Sequence, residues 1–386
     1  MRLPKQRKEP DKAYPAVLMI KTTTVKVGEQ PTGVPMEVPV IKIQGQGNGP
    51  RVYIQANIHG AEVQGNAVIY QLLEFFRQYP PQGDVVMVPQ ANPLGINQKS
   101  GEFTLGRFDP VTGTNWNRQY HFDSSLLEPF SQQYLDADEA VIRDAFRERL
   151  REQFYERQSS PWGLTCGQHL AMNLQEMAME ADIVLDLHTG PISARHLYVP
   201  EYARERARHF NIPLNILIPS DFDGALDEAS FSPWWQLSQQ FAKHGRKLPV
   251  MVDAFTLELG SQELLDVNAA ERDALGICNY LQHQGMWPDK PFNCDPISLY
   301  ACDLSDYKAY HSPAGGQVEY QALLNQPLAA GKPLATLWHF NTLGSESCLS
   351  RELTLPCDSI PVLHFASASV QQGTELYKVL TNTFML

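Results

Sequence analysis

Apolar residues along this chain fall into two rhythms. Val52-Tyr-Ile-Gln-Ala56, Val85-Val-Met-Val88, Ile183-Val-Leu-Asp-Leu187 and Val250-Met-Val-Asp-Ala-Phe-Thr-Leu-Glu-Leu259 are short and almost wholly apolar, as strands buried on both faces must be. Between the first two, Val63, Ala67, Tyr70, Leu73 and Phe76 recur at helical spacing, which predicts a helix from Ala61 to Gln78. Strand, helix, strand over 52–88 is a βαβ unit. Helices are also predicted from Gln168 to Glu180, feeding the strand at Ile183, and from Glu263 to Gln284. A charged helix from Leu135 to Gln158 carries only a thin apolar stripe (Val141, Ala145, Leu150, Phe154), the pattern of a solvated surface element. The alternation predicts an α/β fold with a mostly parallel or mixed sheet flanked by helices.

Three stretches break this rhythm. Before residue 45 the chain is Pro- and Val-rich, with strand-like Val17-Leu-Met-Ile20 and Val38-Pro-Val-Ile-Lys-Ile43 punctuated by Gly33, Gly45, Gly47 and Gly49. We read 1–45 as a β-rich extension. Residues 93–134 are loop-like, and a structureless stretch of that length inside a compact domain is functional or disordered. After Trp287-Pro288 come short alternating runs broken by Gly315-Gly316, Gly331, Gly344 and Gly373, with no convincing helix. The expected division is a catalytic α/β domain over 1–288 and a small all-β domain over 289–386. Ser312-Pro-Ala-Gly-Gly316 followed by Ala330-Gly-Lys-Pro333 resembles the half-barrel of lipoyl carriers in rhythm, although no lysine has the Met-Lys-Met or Asp-Lys-Ala context of a cofactor arm.

Bulk composition narrows the function. A net charge of −12, with no Lys/Arg block after residue 8, argues against nucleic acid and anionic membrane as partners. No run approaches the apolar length of a membrane span. Met1-Arg2-Leu3-Pro4-Lys5-Gln6-Arg7-Lys8 is basic, but no apolar segment follows it, so no secretory signal is expected. The six cysteines form no CxxC pair, consistent with reduced thiols in the cytoplasm. A homo-oligomer is compatible with these numbers. An anionic small substrate would need arginines placed locally against the global charge.

The chemistry gathers at strand ends. His59-Gly-Ala-Glu62 holds an imidazole and a carboxylate three residues apart where a buried strand gives way to a helix. Asp186-Leu187-His188 ends a second strand. Two His and one Glu are a known catalytic zinc set, leaving a position for water. His59, Glu62 and His188 supply it for one zinc ion per chain, and the donor types favour zinc over harder cations. Asp186, on the same side of its strand as His188, is expected to orient that imidazole. Glu258 is a carboxylate in an otherwise apolar strand, which demands a buried partner or a role as general base. Asn117-Arg118 follows a Gly-rich loop, and a guanidinium beside an amide suits a carboxylate. Trp234-Trp235 and Pro219-Ser-Asp-Phe-Asp-Gly224 could line the pocket, but packing for the first and an ordinary turn for the second are favoured.

Taken together, these residues resemble the succinylglutamate desuccinylase/aspartoacylase family of the zinc carboxypeptidase superfamily. The likeness spans about 48 to 284 in four ordered blocks: Asn57-Ile-His-Gly-Ala-Glu62; Asn92-Pro93-Leu94-Gly95; Arg107 through Asn117-Arg118; and Asp186-Leu-His188 with Thr256-Leu-Glu-Leu-Gly260. The resemblance implies a carboxypeptidase-like fold in which His59, Glu62 and His188 bind zinc and Glu258 is general base and acid. It further implies that Arg107 stabilises the oxyanion and that Asn117 and Arg118 grip the substrate carboxylate. Arg195 and Tyr198 are candidates for further substrate contacts. The activity implied is hydrolysis of an N-acyl amino acid, a small anionic substrate, to a carboxylate and a free amino acid. Two alternatives stay open, a metallocarboxypeptidase acting on a short peptide or cell-wall fragment and a metal-stabilised, non-catalytic binding protein.

Overall fold

The structure is a computed structural model describing residues 18–221, 223–343 and 349–386. The basic N-terminus, Val17, Gly344 and Cys348 lie outside the described residues. Its centre is a ten-stranded mixed sheet. The strands are β1 (Ile20–Glu29), β2 (Pro35–Ile43), β3 (Val52–Ala56), β4 (Val85–Val88), β5 (Ile183–Gly190), β6 (His196–Pro200), β7 (Leu214–Ile218), β8 (Asp253–Ser261), β9 (Tyr300–Asp303) and β10 (Phe384–Met385). In space they run β1-β2-β4-β3-β5-β8-β6-β7-β9-β10. From β4 to β8 neighbours are parallel. An antiparallel β8–β6 pair then joins them to the parallel β6–β7–β9 group.

Helices cover both faces. On one side α1 (Gln64–Gln78) and α5 (Val267–His283) pack Val68, Leu72, Phe76, Tyr280 and Leu281 against Ile54, Leu185, Leu187, Phe255 and Leu257. On the other, α3 (Cys166–Ala178) and α4 (Leu226–Lys243) pack Leu170, Leu174 and Leu226 against Tyr53, Val184 and Ala254. Odd and even positions of β5 and β8 thus serve different cores, which explains their unbroken apolar runs. Outside α4 lies α2 (Glu139–Gln158), with Ile142 and Phe146 packed on Trp234, Leu237 and Phe241.

The described structure departs from the sequence reading in detail. The first strand is β1 rather than a segment ending at Ile20; it was hidden because it is a polar edge strand whose only buried side chain is Val27. In α1 Ala67 and Phe76 face inward as expected, but the buried stripe continues through Val68, Ile69 and Leu72, and Tyr70 is 59% exposed. The inward stripe of α2 likewise runs through Ile142, Phe146 and Phe154, leaving Val141 exposed. Residues 93–134 are not structureless: they hold a short helix at Pro93–Ile96, a hairpin at 99–104, a 3-10 turn at Trp116–Arg118 and a helix at Leu127–Gln133. β6, β7 and α4 have no counterpart in the elements that the sequence pattern predicts. The last of these contains Pro233, a residue that normally argues against a helix interior.

After Trp287 the chain forms β9, then two four-stranded antiparallel sheets, then β10. Val318, Leu337, Leu353, Leu376 and Tyr377 fill the space between those sheets. Strands are exchanged in both directions, for β9 and β10 extend the large sheet while Ile192–Ser193 adds to a C-terminal one. Among the described residues, no helix is long and apolar enough to cross a membrane. The five described cysteines form no disulfide.

Candidate active site

At the end of β3 the backbone turns sharply. Asn57 adopts a φ of 65°, in the left-handed region that asparagine tolerates better than most residues. Its side-chain amide donates to the carbonyls of His59 (2.9 Å) and Gly60 (3.1 Å), fixing the turn that presents His59 and Glu62. The neighbouring strands supply the rest by register. Asp186 and His188 of β5 lie beside Thr256 and Glu258 of β8, which in turn lie opposite Tyr198 and His196 of β6. With side chains alternating along a strand, all six occupy the sheet face under α3 and α4.

The buried Glu62 carboxylate lies between two imidazoles, with Oε1 2.9 Å from His59 Nδ1 and Oε2 2.8 Å from His188 Nδ1. Ligand atoms of His59, Glu62 and His188 all fall within 4.8 Å of one another. Each ring turns its other nitrogen outward to an acceptor: His59 Nε2 lies 2.8 Å from Asn115 Oδ1, and His188 Nε2 lies 2.8 Å from Asp186 Oδ2. Both Nδ1 atoms thus face the Glu62 carboxylate, an arrangement that calls for a proton or a metal cation among the three groups. Burial works against charge on Glu62, yet His59 and His188 hold its carboxyl well below the usual range. Burial also opposes a proton on His188, yet Asp186 and Glu62 raise its pKa well above the ordinary value. The same field favours a divalent metal at this point, and the donor set fits one.

Beside these ligands opens a cavity of about 420 Å³. Glu258 lines it with Oε2 buried and without a hydrogen-bond partner among the described residues. Burial, seconded by the charge on Glu62, pushes its carboxyl up to about 7. Arg107 reaches in with Nη1 3.1 Å from Glu62 Oε1. Its position depends on close backbone approach: Gly60 donates its N–H to Gly106 O (2.8 Å), and a Cβ on Gly60 would lie 2.1 Å from Gly95 O. Asn92 locks the same junction, accepting from the N–H groups of Leu94 and Gly95 and donating to Ile58 O. The Asn117 amide stands 3.2 Å from His188 Nε2, and Arg118 Nη1 donates to Asn117 O at 2.7 Å.

The residues singled out from the sequence therefore meet: His59, Glu62, His188, Arg107, Asn117, Arg118 and Glu258 surround one space, with Asp186 behind His188. Tyr198 lines it too. Arg195 does not. Its Nε is 2.6 Å from Asp273 of α5, and it faces a different cavity with Ser193 and Arg272. Pro219, Asp221 and Asp223, for which a turn is favoured above over a place in the pocket, form part of the cavity wall, whereas Trp234 and Trp235 pack as expected, on Phe146 and Tyr202. Sequence reasoning missed Asn115, Asp227, Tyr307 and Lys378. Asn115 carried a signal, lying two residues before Asn117 in the same turn; its Oδ1 also accepts the Asn117 N–H at 2.9 Å. Asp227 depends on α4, and Tyr307 and Lys378 come from the C-terminal sheets, so no local pattern pointed to them.

No curated protein matches the chain at significant similarity. A structure from Shewanella amazonensis SB2B, of a protein provisionally assigned to the succinylglutamate desuccinylase/aspartoacylase family, is 51% identical over 95% of this chain and 100% of its own, with a TM-score of 0.92. Another from Shewanella frigidimarina NCIMB 400, with the same provisional assignment, is 49% identical over 96% and 98%, again at 0.92. At 17% identity over 97% and 98%, a succinylglutamate desuccinylase/aspartoacylase from Rhodobacter sphaeroides shares the fold with a TM-score of 0.67. Residues 48–284, which include His59, Glu62, His188 and Glu258, match the model of the succinylglutamate desuccinylase/aspartoacylase catalytic domain, and the chain belongs to that family.

Proposed function

We propose that this protein is a zinc-dependent amidohydrolase that cleaves an N-acyl amino acid into a carboxylate and a free amino acid. The observation that carries the reading is the convergence of two inward Nδ1 atoms and a carboxylate beside a cavity that also holds a partnerless Glu258. Zinc on His59, Glu62 and His188 would polarise the amide carbonyl and make water acidic enough to attack near neutral pH. The remaining steps fall to side chains. Glu258 takes a proton from the attacking water as the C–O bond forms, then gives it to the amide nitrogen as the C–N bond breaks. Its raised carboxyl pKa suits a group that must both accept and donate. Arg107 donates to the oxygen that gains charge. Asn117 and Arg118 hold the substrate carboxylate, so the scissile bond is presented in one orientation. In this reading 1–288 forms the catalytic domain, and the β domain over 289–386 completes the cavity with Tyr307 and Lys378.

The test is release of free amine by the zinc-loaded protein from N-acetyl, N-succinyl and N-formyl amino acids beside short dipeptides. Hydrolysis of one acyl class, lowered by Glu258→Gln by about 10²- to 10⁴-fold with zinc still bound, is expected. Release from dipeptides alone would make the protein a carboxypeptidase. Full activity in Glu258→Gln would remove that residue from the mechanism.

A further inference from the structure

Beyond Glu258 the chain leaves β8 in a turn fastened to the segments that carry His59, Glu62 and His188. Gln262 donates its N–H to Gly190 O (2.7 Å), just past His188, and Glu263 donates its N–H to Ala61 O (2.8 Å), between His59 and Glu62. Gln64, at the start of α1, accepts the Asp266 N–H and donates to the Asp266 carbonyl, both at 2.9 Å. The backbone at Glu263 has a φ of 61°, in the left-handed region that a residue with a Cβ rarely adopts. Glycine would make this turn without strain. What glutamate adds is a carboxylate that crosses to the loop before Arg107. Its Oε1 accepts the Thr104 N–H at 2.5 Å, and its Oε2 accepts the Thr104 hydroxyl at 3.2 Å. Lys99 Nζ donates to the same hydroxyl, and Leu105 donates its N–H to Gln98 O, so the carboxylate grips a closed hairpin.

We propose that Glu263 is a positioning residue that holds the loop 98–107, and through it Arg107, beside the cluster of His59, Glu62 and His188. The inference rests on the proposed function, in which Arg107 donates to the oxygen that gains charge. A strained backbone persists where surrounding contacts over-determine it, and such positions gather at functional sites. The hairpin has little else to keep it down. Phe103 and Leu105, on either side of the buried Thr104, are 66% and 58% exposed, so apolar packing contributes little anchorage. Arg107 follows three residues after Thr104, half exposed, with Nη1 on Glu62. The Gly60 N–H on Gly106 O fastens the far end of the loop, and Glu263 fastens the near end. Because the turn at Glu263 continues the strand of Glu258, one frame relates the proton-transfer group to the oxyanion donor.

Two variants separate the carboxylate from the turn. Glu263→Gly suits the positive φ and removes the grip on Thr104, whereas Glu263→Gln keeps an acceptor for the Thr104 N–H and should behave as wild type. In the zinc-loaded full chain, amide hydrogen exchange over 98–107 is expected to rise about 10-fold in Glu263→Gly at an unchanged urea midpoint. Phenylglyoxal should modify Arg107 faster in the same variant. With the N-acetyl, N-succinyl or N-formyl amino acid that the protein hydrolyses, kcat should fall about 10-fold at constant KM. In an Arg107→Ala background, Glu263→Gly should lower kcat no further, because the two residues act as one unit. Unchanged exchange over 98–107 would overturn the inference. So would a freed loop with wild-type kcat, or a loss that persists in full without Arg107. If wild type hydrolyses none of these substrates, the proposed function falls, while exchange and Arg107 labelling still decide whether Glu263 holds the loop.

Discussion

His59 and His188 offer the same nitrogen inward but are braced differently, His188 by a carboxylate and His59 by the carboxamide of Asn115. Outer partners of metal-bound imidazoles set tautomer and basicity, and losing one typically costs about 10- to 100-fold in metal affinity. Asn115→Leu is expected to weaken zinc binding by that order in competition with a chelator, while Asn115→Asp should retain or tighten it. Equal affinity in all three proteins would show that the contact does not brace the ligand. Since Asn115 also receives the Asn117 N–H, the leucine variant should raise KM as well.

One turn and one loop decide where Arg107 stands. Gly60, Gly95 and Gly106 meet backbone to backbone, with no room for a methyl group at Gly60. Gly60→Ala should cost about 1–3 kcal/mol of stability as overpacking does, read as a lower urea midpoint, and should lower kcat through displaced Arg107. An unchanged midpoint would mean that the loop yields freely. These elements also show how far the sequence could be read. The βαβ unit and the buried strands were legible because burial on both faces leaves uninterrupted apolar runs. β1 was not, since an edge strand with polar side chains has no such run, and neither was α4, whose Pro233 counts against a helix. In the site, His59, Glu62, His188 and Glu258 announced themselves by chemistry at strand ends. Asp227 and Lys378 became visible only once distant segments were folded together.

At the scale of the whole molecule, His196 reports on the junction between the large sheet and the C-terminal sheets. It is fully buried near Tyr198 and Tyr307, and burial, aided by Lys378, pushes its pKa down to about 4 from the ordinary 6.5. A depressed pKa means that unfolding takes up a proton below 6.5. The stability it contributes is therefore complete above pH 6.5 and lost as pH falls toward 4, a span corresponding to about 3 kcal/mol. His196→Leu should flatten the acid side of a urea-midpoint profile between pH 6.5 and 4 relative to wild type. Parallel profiles would assign the acid sensitivity elsewhere. The mutual exchange of strands bears on how a substrate gets in. Because β9 and β10 are stitched into the large sheet while Ile192–Ser193 is stitched into a C-terminal one, the two parts cannot swing apart as jaws without tearing ladder hydrogen bonds. The mouth of the cavity is thus a fixed doorway, and traffic through it is set by the side chains on its frame rather than by a hinge.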